Sequence, residues 1–222
     1  MTTPPAKRPL QSRFPRLWLA FQYLACGYFD RGRYIRKHYN GQRRVLEIGC
    51  SLGMDSSHFA AAPCAFLGVD IDPEAIAHAK KTHAGRAHMR FVCMDLHDLQ
   101  VAESERFDFI LVSGVCHHVP TDRLVPLLEK AATLLSDDGR LVVIDYAPSA
   151  TPGWLEQFFL DYDEGREIRS REDLLAVLDS ISGLAVAEQE IFRNAAFVFP
   201  WPTMAYKFCI AMKKKGAEKK AS

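Results

Sequence analysis

Residues 44–53 read RVLEIGCSLG. A short apolar run that stops at a glycine predicts a buried strand over 44–50, followed by a tight turn closing at Gly53. The same pattern recurs along the chain. AFLGVDI (65–71), MRFVCMD (89–95), FDFILVSGV (107–115) and RLVVIDY (140–146) all read as strands. Between them, residues 54–62 are helix-like, and Pro73 opens PEAIAHAKKTH at a first-turn position that suits proline. Residues 121–135 place Leu124, Leu127, Leu128, Ala131 and Leu135 on one helical face, with Asp138-Gly139 expected to end that helix. Strands alternating with helices predict a parallel, doubly wound sheet, and strands apolar throughout fit burial on both faces. A helix over 171–181 and two closing strands, near 184–192 and 205–213, complete an α/β, mostly parallel seven-stranded sheet with helices on both faces.

Outside this core, FPRLWLAFQYLACGY (14–28) has helical spacing at Leu17, Phe21 and Leu24, and a basic helix follows over 29–39 until Gly41. The organisation expected is an N-terminal basic, aromatic helical extension over 1–40, its first 12 residues disordered. One α/β domain then spans 41–215, and a basic disordered tail spans 216–222.

The chain has 222 residues, a one-domain length, with 48% hydrophobic and 25% charged residues. Those values exclude a disordered chain, a collagen-like chain and a coiled-coil rod. None of the six cysteines forms a C-x-x-C pair, which argues against a zinc ribbon or a thioredoxin-like centre and suits a reducing, cytoplasmic setting. No segment reads as a signal peptide or membrane span. The formal charge of +1 hides an asymmetry. Residues 1–46 hold ten Lys/Arg against one acid, 47–206 hold 12 against 25, and 207–222 hold six against one. Basic ends on an acidic body attract anionic partners or simply solubilise the chain.

In an open α/β sheet, ligands bind beyond the carboxyl ends of the strands. Collected there are Glu47 with Gly49, Cys50, Ser51 and Gly53; Asp70 with Ile71 and Asp72; Asp95 with Leu96; Ser113, then Cys116, His117 and His118; and Asp145 with Tyr146. The first turn fails the dinucleotide pattern G-x-G-x-x-G at Ser51 and Met54, and it has no P-loop lysine. Carboxylates rather than bases flank it. The ligand expected is one rich in hydroxyls, amines or positive charge, and not a polyphosphate.

VLEIGCSLG, FLGVDIDPEA, FVCMDL, FDFILVSGVCHH and DDGRLVVID, in this order and spacing, resemble the motifs of class I S-adenosylmethionine-dependent methyltransferases. The resemblance covers roughly residues 43–146. It implies S-adenosylmethionine as cofactor and a role for each tip residue. Gly49, Cys50, Ser51 and Gly53 would form the turn that admits its methionine part, with Glu47 beneath. Asp70 would accept the ribose hydroxyls, Ile71 would pack on adenine, and Asp95 with the Leu96 amide would meet the adenine edge. Ser113 would offer its carbonyl to the ammonium. Asp72 reads as a helix cap. The family often has glycine where Ser51 stands, and serine fits there if its φ is negative.

For methyl transfer, His118 and Asp145 are the candidate catalytic residues, the histidine as a base for an oxygen acceptor. No metal is expected. The acceptor expected is a small molecule, apolar or aromatic, under a lid drawn from Trp18, Phe21, Tyr23, Tyr28, Phe29, Trp154, Phe158 and Phe159. The asparagine/aspartate-proline-proline-aromatic motif used on base amines is absent after the fourth strand, and nucleic acid is not the expected partner. Other readings are a non-catalytic cofactor-binding subunit and an RNA- or lipid-directed enzyme. Residues 13–37 and FVFPWPTM (197–204) would then rest on an anionic membrane. Oligomeric state is open.

Overall fold

The computed structural model describes residues 28–163, 165–194 and 205–215, with Leu17 and Ala20. Apart from Leu17, Ala20 and Tyr28, the expected first helix lies outside the described residues, as do the aromatic residues Trp18, Phe21 and Tyr23, the 197–204 segment and the 216–222 tail. The elements are α1 (Tyr28–His38), β1 (Arg44–Ile48), β2 (Ala65–Asp70), α2 (Pro73–Thr82), β3 (Met89–Cys93), β4 (Phe107–Ser113) and α3 (Thr121–Leu134). Then come β5 (Leu135–Tyr146), α4 (Trp154–Tyr162), α5 (Arg171–Ser180), β6 (Leu184–Asn194) and β7 (Ala205–Lys214).

The seven strands lie in the order β3-β2-β1-β4-β5-β7-β6. All pairings from β3 to β5 are parallel, while β7 runs antiparallel to both neighbours. The sheet buries both faces. Leu46, Ile110, Leu141 and Val143 meet Leu124 and Leu128 of α3 and Leu174 and Leu178 of α5 on one side. Val45, Phe109, Leu111 and Val142 meet Ile35 of α1 and Ile76 of α2 on the other. This two-sided burial is why the strands read as unbroken apolar runs. Phe109 is fully buried, and its truncation to alanine should cost about 3–5 kcal/mol.

Two local expectations are corrected. Residues 54–62 form only a short 3-10 turn, Asp55–Phe59. Ser57 Oγ donates to the Met54 carbonyl at 2.6 Å and Ser56 Oγ donates to Glu47, so both serines are engaged locally. The helix over 121–135 ends at Leu134, before Asp138-Gly139. Leu135 is already extended (φ −79°, ψ 136°) and pairs with Phe107, so β5 starts early and carries an irregularity opposite Asp108. Among the described residues, no helix is long and apolar enough to cross a membrane.

Candidate active site

The order of the sheet reverses at β1, and the turn after β1 opens there. Gly49 (φ 71°) and Gly53 (φ 78°) are left-handed, as glycine allows. At Gly49 space is also decisive, since a Cβ would lie 2.4 Å from Val115 Cγ2. Ser51 corrects the expectation of a negative φ: it sits at +46°, a conformation costing roughly 1–2 kcal/mol for an L side chain. What the turn gains is an aimed amide, because Ser51 N–H donates to Asp70 Oδ2 at 2.8 Å. Cys50 is buried in the core, and burial pushes its thiol far up, so only its backbone belongs to the turn.

Asp70 is held from both sides. Its Oδ1 accepts from Asp72 N–H at 2.9 Å, while burial raises its carboxyl above the ordinary aspartate value. Asp72 caps α2 as expected, accepting from Glu74 and Ala75 N–H. Ile71 is 75% exposed, an open apolar ledge between the tips of β2 and β3. Asp95 caps the turn Leu96–Asp98, and its Oδ1 accepts from His97 N–H and His97 Nδ1, both at 2.9 Å. Those bonds hold its carboxyl below the ordinary value. The Leu96 side chain is core.

Beneath the turn lies a buried charged network. Glu47 is 3% exposed; burial and then Asp55 push its carboxyl well above the usual carboxylate range. Asp55 pairs with Arg31 at 3.2 Å, and its Oδ2 also accepts from Ser113 Oγ at 2.8 Å. Arg31 was not singled out in the sequence, where nothing distinguishes it from its basic neighbours. Arg33 and Arg36 face elsewhere: Arg33 lies over the Tyr34 ring and Arg36 meets His58 at 3.1 Å. Gly32 lets α1 pack here, since a Cβ would come within 2.2 Å of the His58 ring.

Beyond β4 and β5 the structure joins residues that the sequence left separate. Asp145, 2% exposed, accepts from Cys116 N–H and Tyr146 N–H, both at 2.7 Å, and from His117 Nδ1 at 2.6 Å. So enclosed, Asp145, expected as a catalytic residue, contacts His117 rather than open solvent. The other His117 nitrogen, Nε2, faces Asp163 Oδ1 at 3.4 Å, and Tyr146 Oη donates to Asp163 Oδ2 at 2.6 Å. Burial opposes the imidazolium, yet Asp145 and Asp163 prevail and raise His117 to about 9. Asp145 falls to about 2, burial again being outweighed by His117. His118 is exposed, its ring centroid 4.1 Å from that of His117. Desolvation, then the charge of His117, lowers its pKa below the ordinary histidine value. One donor atom from each of His117, His118 and Asp163 lies within 4.8 Å of the others, a cluster of metal-ligating types where no metal was expected.

The segment after α4 straps this loop down. Glu167 N–H donates to the His117 carbonyl at 3.0 Å, while Arg169 donates to the Cys116 carbonyl at 2.6 Å and the Val119 carbonyl at 2.8 Å. On α4, Trp154 (80% exposed) and Phe158 (55%) stand one turn apart, and Phe29 is 53% exposed. Tyr28 stacks on His58 with centroids 4.6 Å apart. The side chain of Phe159 lies outside the described residues.

Residues 46–141 match a family model described as a methyltransferase domain. A ubiquinone biosynthesis O-methyltransferase of Nitrobacter winogradskyi is 34% identical over 119 residues, covering 53% of this chain and 43% of that protein. The chain spans less than half the length of the curated relatives it matches. Among solved structures, a TehB-like SAM-dependent methyltransferase from Corynebacterium glutamicum aligns with a TM-score of 0.64 and 22% identity over 92% of this chain and 98% of that one. N-methyltransferase NodS from Bradyrhizobium japonicum, solved with S-adenosyl-L-homocysteine, aligns at 0.66 and 17% over 86% and 89%. At those identities the structural likeness is one of fold. Residues 46–141 are therefore similar to a methyltransferase domain, and the chain adopts the fold seen in S-adenosylmethionine-dependent methyltransferases.

Proposed function

We propose that this chain is an S-adenosylmethionine-dependent O-methyltransferase acting on a small acceptor with an apolar or aromatic body. The observation that carries this reading is His118, exposed beyond β4 with its ring centroid 4.1 Å from that of the buried His117 and its pKa lowered below the ordinary histidine value. The O-methyltransferase name of the Nitrobacter relative supports the same choice of atom.

The residues present fit the cofactor. Glu47, Asp55 and Asp70 face the turn region with Arg31 as the buried cation beside them, a surplus of acid that suits an ammonium and a sulfonium. Each Asp70 oxygen accepts one backbone N–H and retains a lone pair for a ribose hydroxyl. Ile71 offers a face for the adenine, and Asp95 Oδ2 and the Leu96 amide offer its edge partners. The Ser113 carbonyl would accept from the ammonium, and the backbone of Gly49, Cys50, Ser51 and Gly53 would line the methionine part. When bound, the cofactor supplies an already activated methyl group.

The chain's own task is to hold the acceptor in line and to manage one proton. Orientation can supply several kcal/mol of the barrier, roughly 7–11 in the best cases. His118 takes the acceptor hydroxyl proton. Desolvation first, and then the charge of His117, clamped as an imidazolium by Asp145 and Asp163, lower the His118 pKa and favour its neutral, basic form. Trp154, Phe158 and Phe29 supply an apolar surface for the acceptor body.

Thermal stability tests the cofactor half. Wild type and Asp70→Ala are melted with S-adenosylhomocysteine, S-adenosylmethionine or NADH; ligand at 100 times its Kd adds about 2.7 kcal/mol. Stabilisation by the two adenosyl ligands alone, lost in Asp70→Ala, is expected. Turnover with a panel of phenols, amines and thiols then tests the acceptor. Cofactor binding with no turnover on any of them would favour a non-catalytic subunit.

A further inference from the structure

Where α2 hands over to the edge strand β3, a cavity of about 540 Å³ lies among Lys80, His83, Arg86, Arg90 and Phe91. Among the described residues, no acidic one lines it. Lys80, Arg86 and Arg90 are exposed, and none has an ion pair or side-chain hydrogen bond among the described residues. Residues 47–206 hold 25 acids against 12 bases, so three unpaired cations converging on one concavity run against the charge of the body around them. The carbonyl end of α2 borders the cavity, and Lys80 and Lys81 in its last turn offset that partial negative charge. The two arginines are left to face the cavity. Planar guanidinium forks match phosphate oxygens in pairs.

The back wall reaches the cofactor turn. His83 is 5% exposed, and its ring stacks on Phe91 with centroids 5.2 Å apart. Its Nε2 bonds the Gly53 carbonyl at 2.8 Å, while its Nδ1 is buried with no hydrogen-bond partner among the described residues. A Cβ added at Gly53 would lie 3.0 Å from His83 Nε2, so imidazole and turn are in close contact.

We propose that this cavity binds a small phosphorylated molecule carrying two or more negative charges, and that its occupancy alters cofactor affinity through His83 and Gly53. The volume falls in the range of small-molecule sites, roughly 300–1,000 Å³. A single-stranded nucleic acid needs exposed aromatic faces for stacking, and Phe91, the aromatic ring at this wall, is only 4% exposed.

The test uses the full chain, with inorganic pyrophosphate as probe and sulfate at matched ionic strength as reference, followed by calorimetry. The comparison variant is Lys80→Gln/Arg86→Gln/Arg90→Gln, whose sites are exposed and outside the cofactor turn. Wild type is expected to bind pyrophosphate more tightly than sulfate, and the triple variant to bind it at least roughly tenfold more weakly while keeping its melting temperature. Saturating pyrophosphate should shift the S-adenosylhomocysteine Kd by about threefold or more in wild type alone, and pyrophosphate binding should shift reciprocally. Equal binding by wild type and variant, or none by about 10 mM, would overturn the site. An unchanged S-adenosylhomocysteine Kd would overturn the coupling. If a short RNA bound through these residues with a steep salt dependence while pyrophosphate did not, the cavity would be part of a nucleic-acid surface and the small-molecule proposal would fail.

Discussion

Replacing Asp145 with asparagine should expose how the acceptor-side loop is held. The carboxylate accepts three hydrogen bonds: from Cys116 N–H at 2.7 Å to Oδ2, and from His117 Nδ1 at 2.6 Å and Tyr146 N–H at 2.7 Å to Oδ1. An asparagine oxygen can serve His117 and Tyr146, but its NH₂ then faces the Cys116 N–H, donor against donor. Breaking a buried pair from one side typically costs about 3–5 kcal/mol, and that is the loss expected. The pH dependence carries a sharper signature. His117 is raised from 6.5 to about 9, so its stabilisation is fully present below pH 6.5 and is lost as pH rises through about 9. The shift corresponds to a few kcal/mol, on the order of 3, shared between Asp145 and Asp163. Urea unfolding of wild type, Asp145→Asn and His117→Gln across pH 6 to 10 would measure it. Wild type should weaken between 6.5 and 9. Asp145→Asn should show a shallower slope, because Asp163 still faces Nε2, and His117→Gln should lack this component. A wild-type profile parallel to that of His117→Gln would refute a clamped imidazolium.

Four other outcomes follow from the geometry. His118→Gln should lower kcat on a hydroxyl acceptor by roughly 10²–10⁴ and leave S-adenosylhomocysteine affinity unchanged in calorimetry. Ser51→Gly should raise unfolding free energy by about 1 kcal/mol, strain relief exceeding the extra chain entropy; a loss of stability would show that the serine side chain is needed in the turn. Gly49→Ala should abolish adenosyl-ligand stabilisation and destabilise the fold by about 1–3 kcal/mol, since both its φ of 71° and Val115 exclude a Cβ. The companion Val115→Ala should restore the fold only in part, because it removes the clash and leaves the dihedral. For Arg31→Gln, leaving Asp55 buried without its cation should cost about 3 kcal/mol or more in urea unfolding.

What the sequence made legible was whatever depends on near neighbours. The apolar runs of β1, β4 and β5 report burial on two faces, and Asp72 before Pro73 reports a cap, because both are settled within a few residues. The glycines of the first turn were readable for the same reason. Ser51 was misread because its φ is set by a partner 19 positions away, the Asp70 carboxylate that its amide must reach. Helix 121–134 was overrun because the stop signal at Asp138-Gly139 is local, whereas the pairing of Leu135 with Phe107 belongs to the sheet.

The same distinction explains the histidines. His117 and His118 are adjacent in the chain and chemically identical, so no local signal assigns one to structure and the other to catalysis. The difference is made by Asp145, 28 positions on, and Asp163, 46 positions on, which close on His117 from opposite sides of its ring. Once one imidazole is enclosed and charged, the other is left exposed, and desolvation together with that charge lowers its pKa. The catalytic competence proposed for His118 thus depends on carboxylates it need not touch. A sequence that keeps both histidines and loses both Asp145 and Asp163 should preserve the motif and lose the clamped imidazolium, so its unfolding free energy should no longer fall between pH 6.5 and 9 on this account.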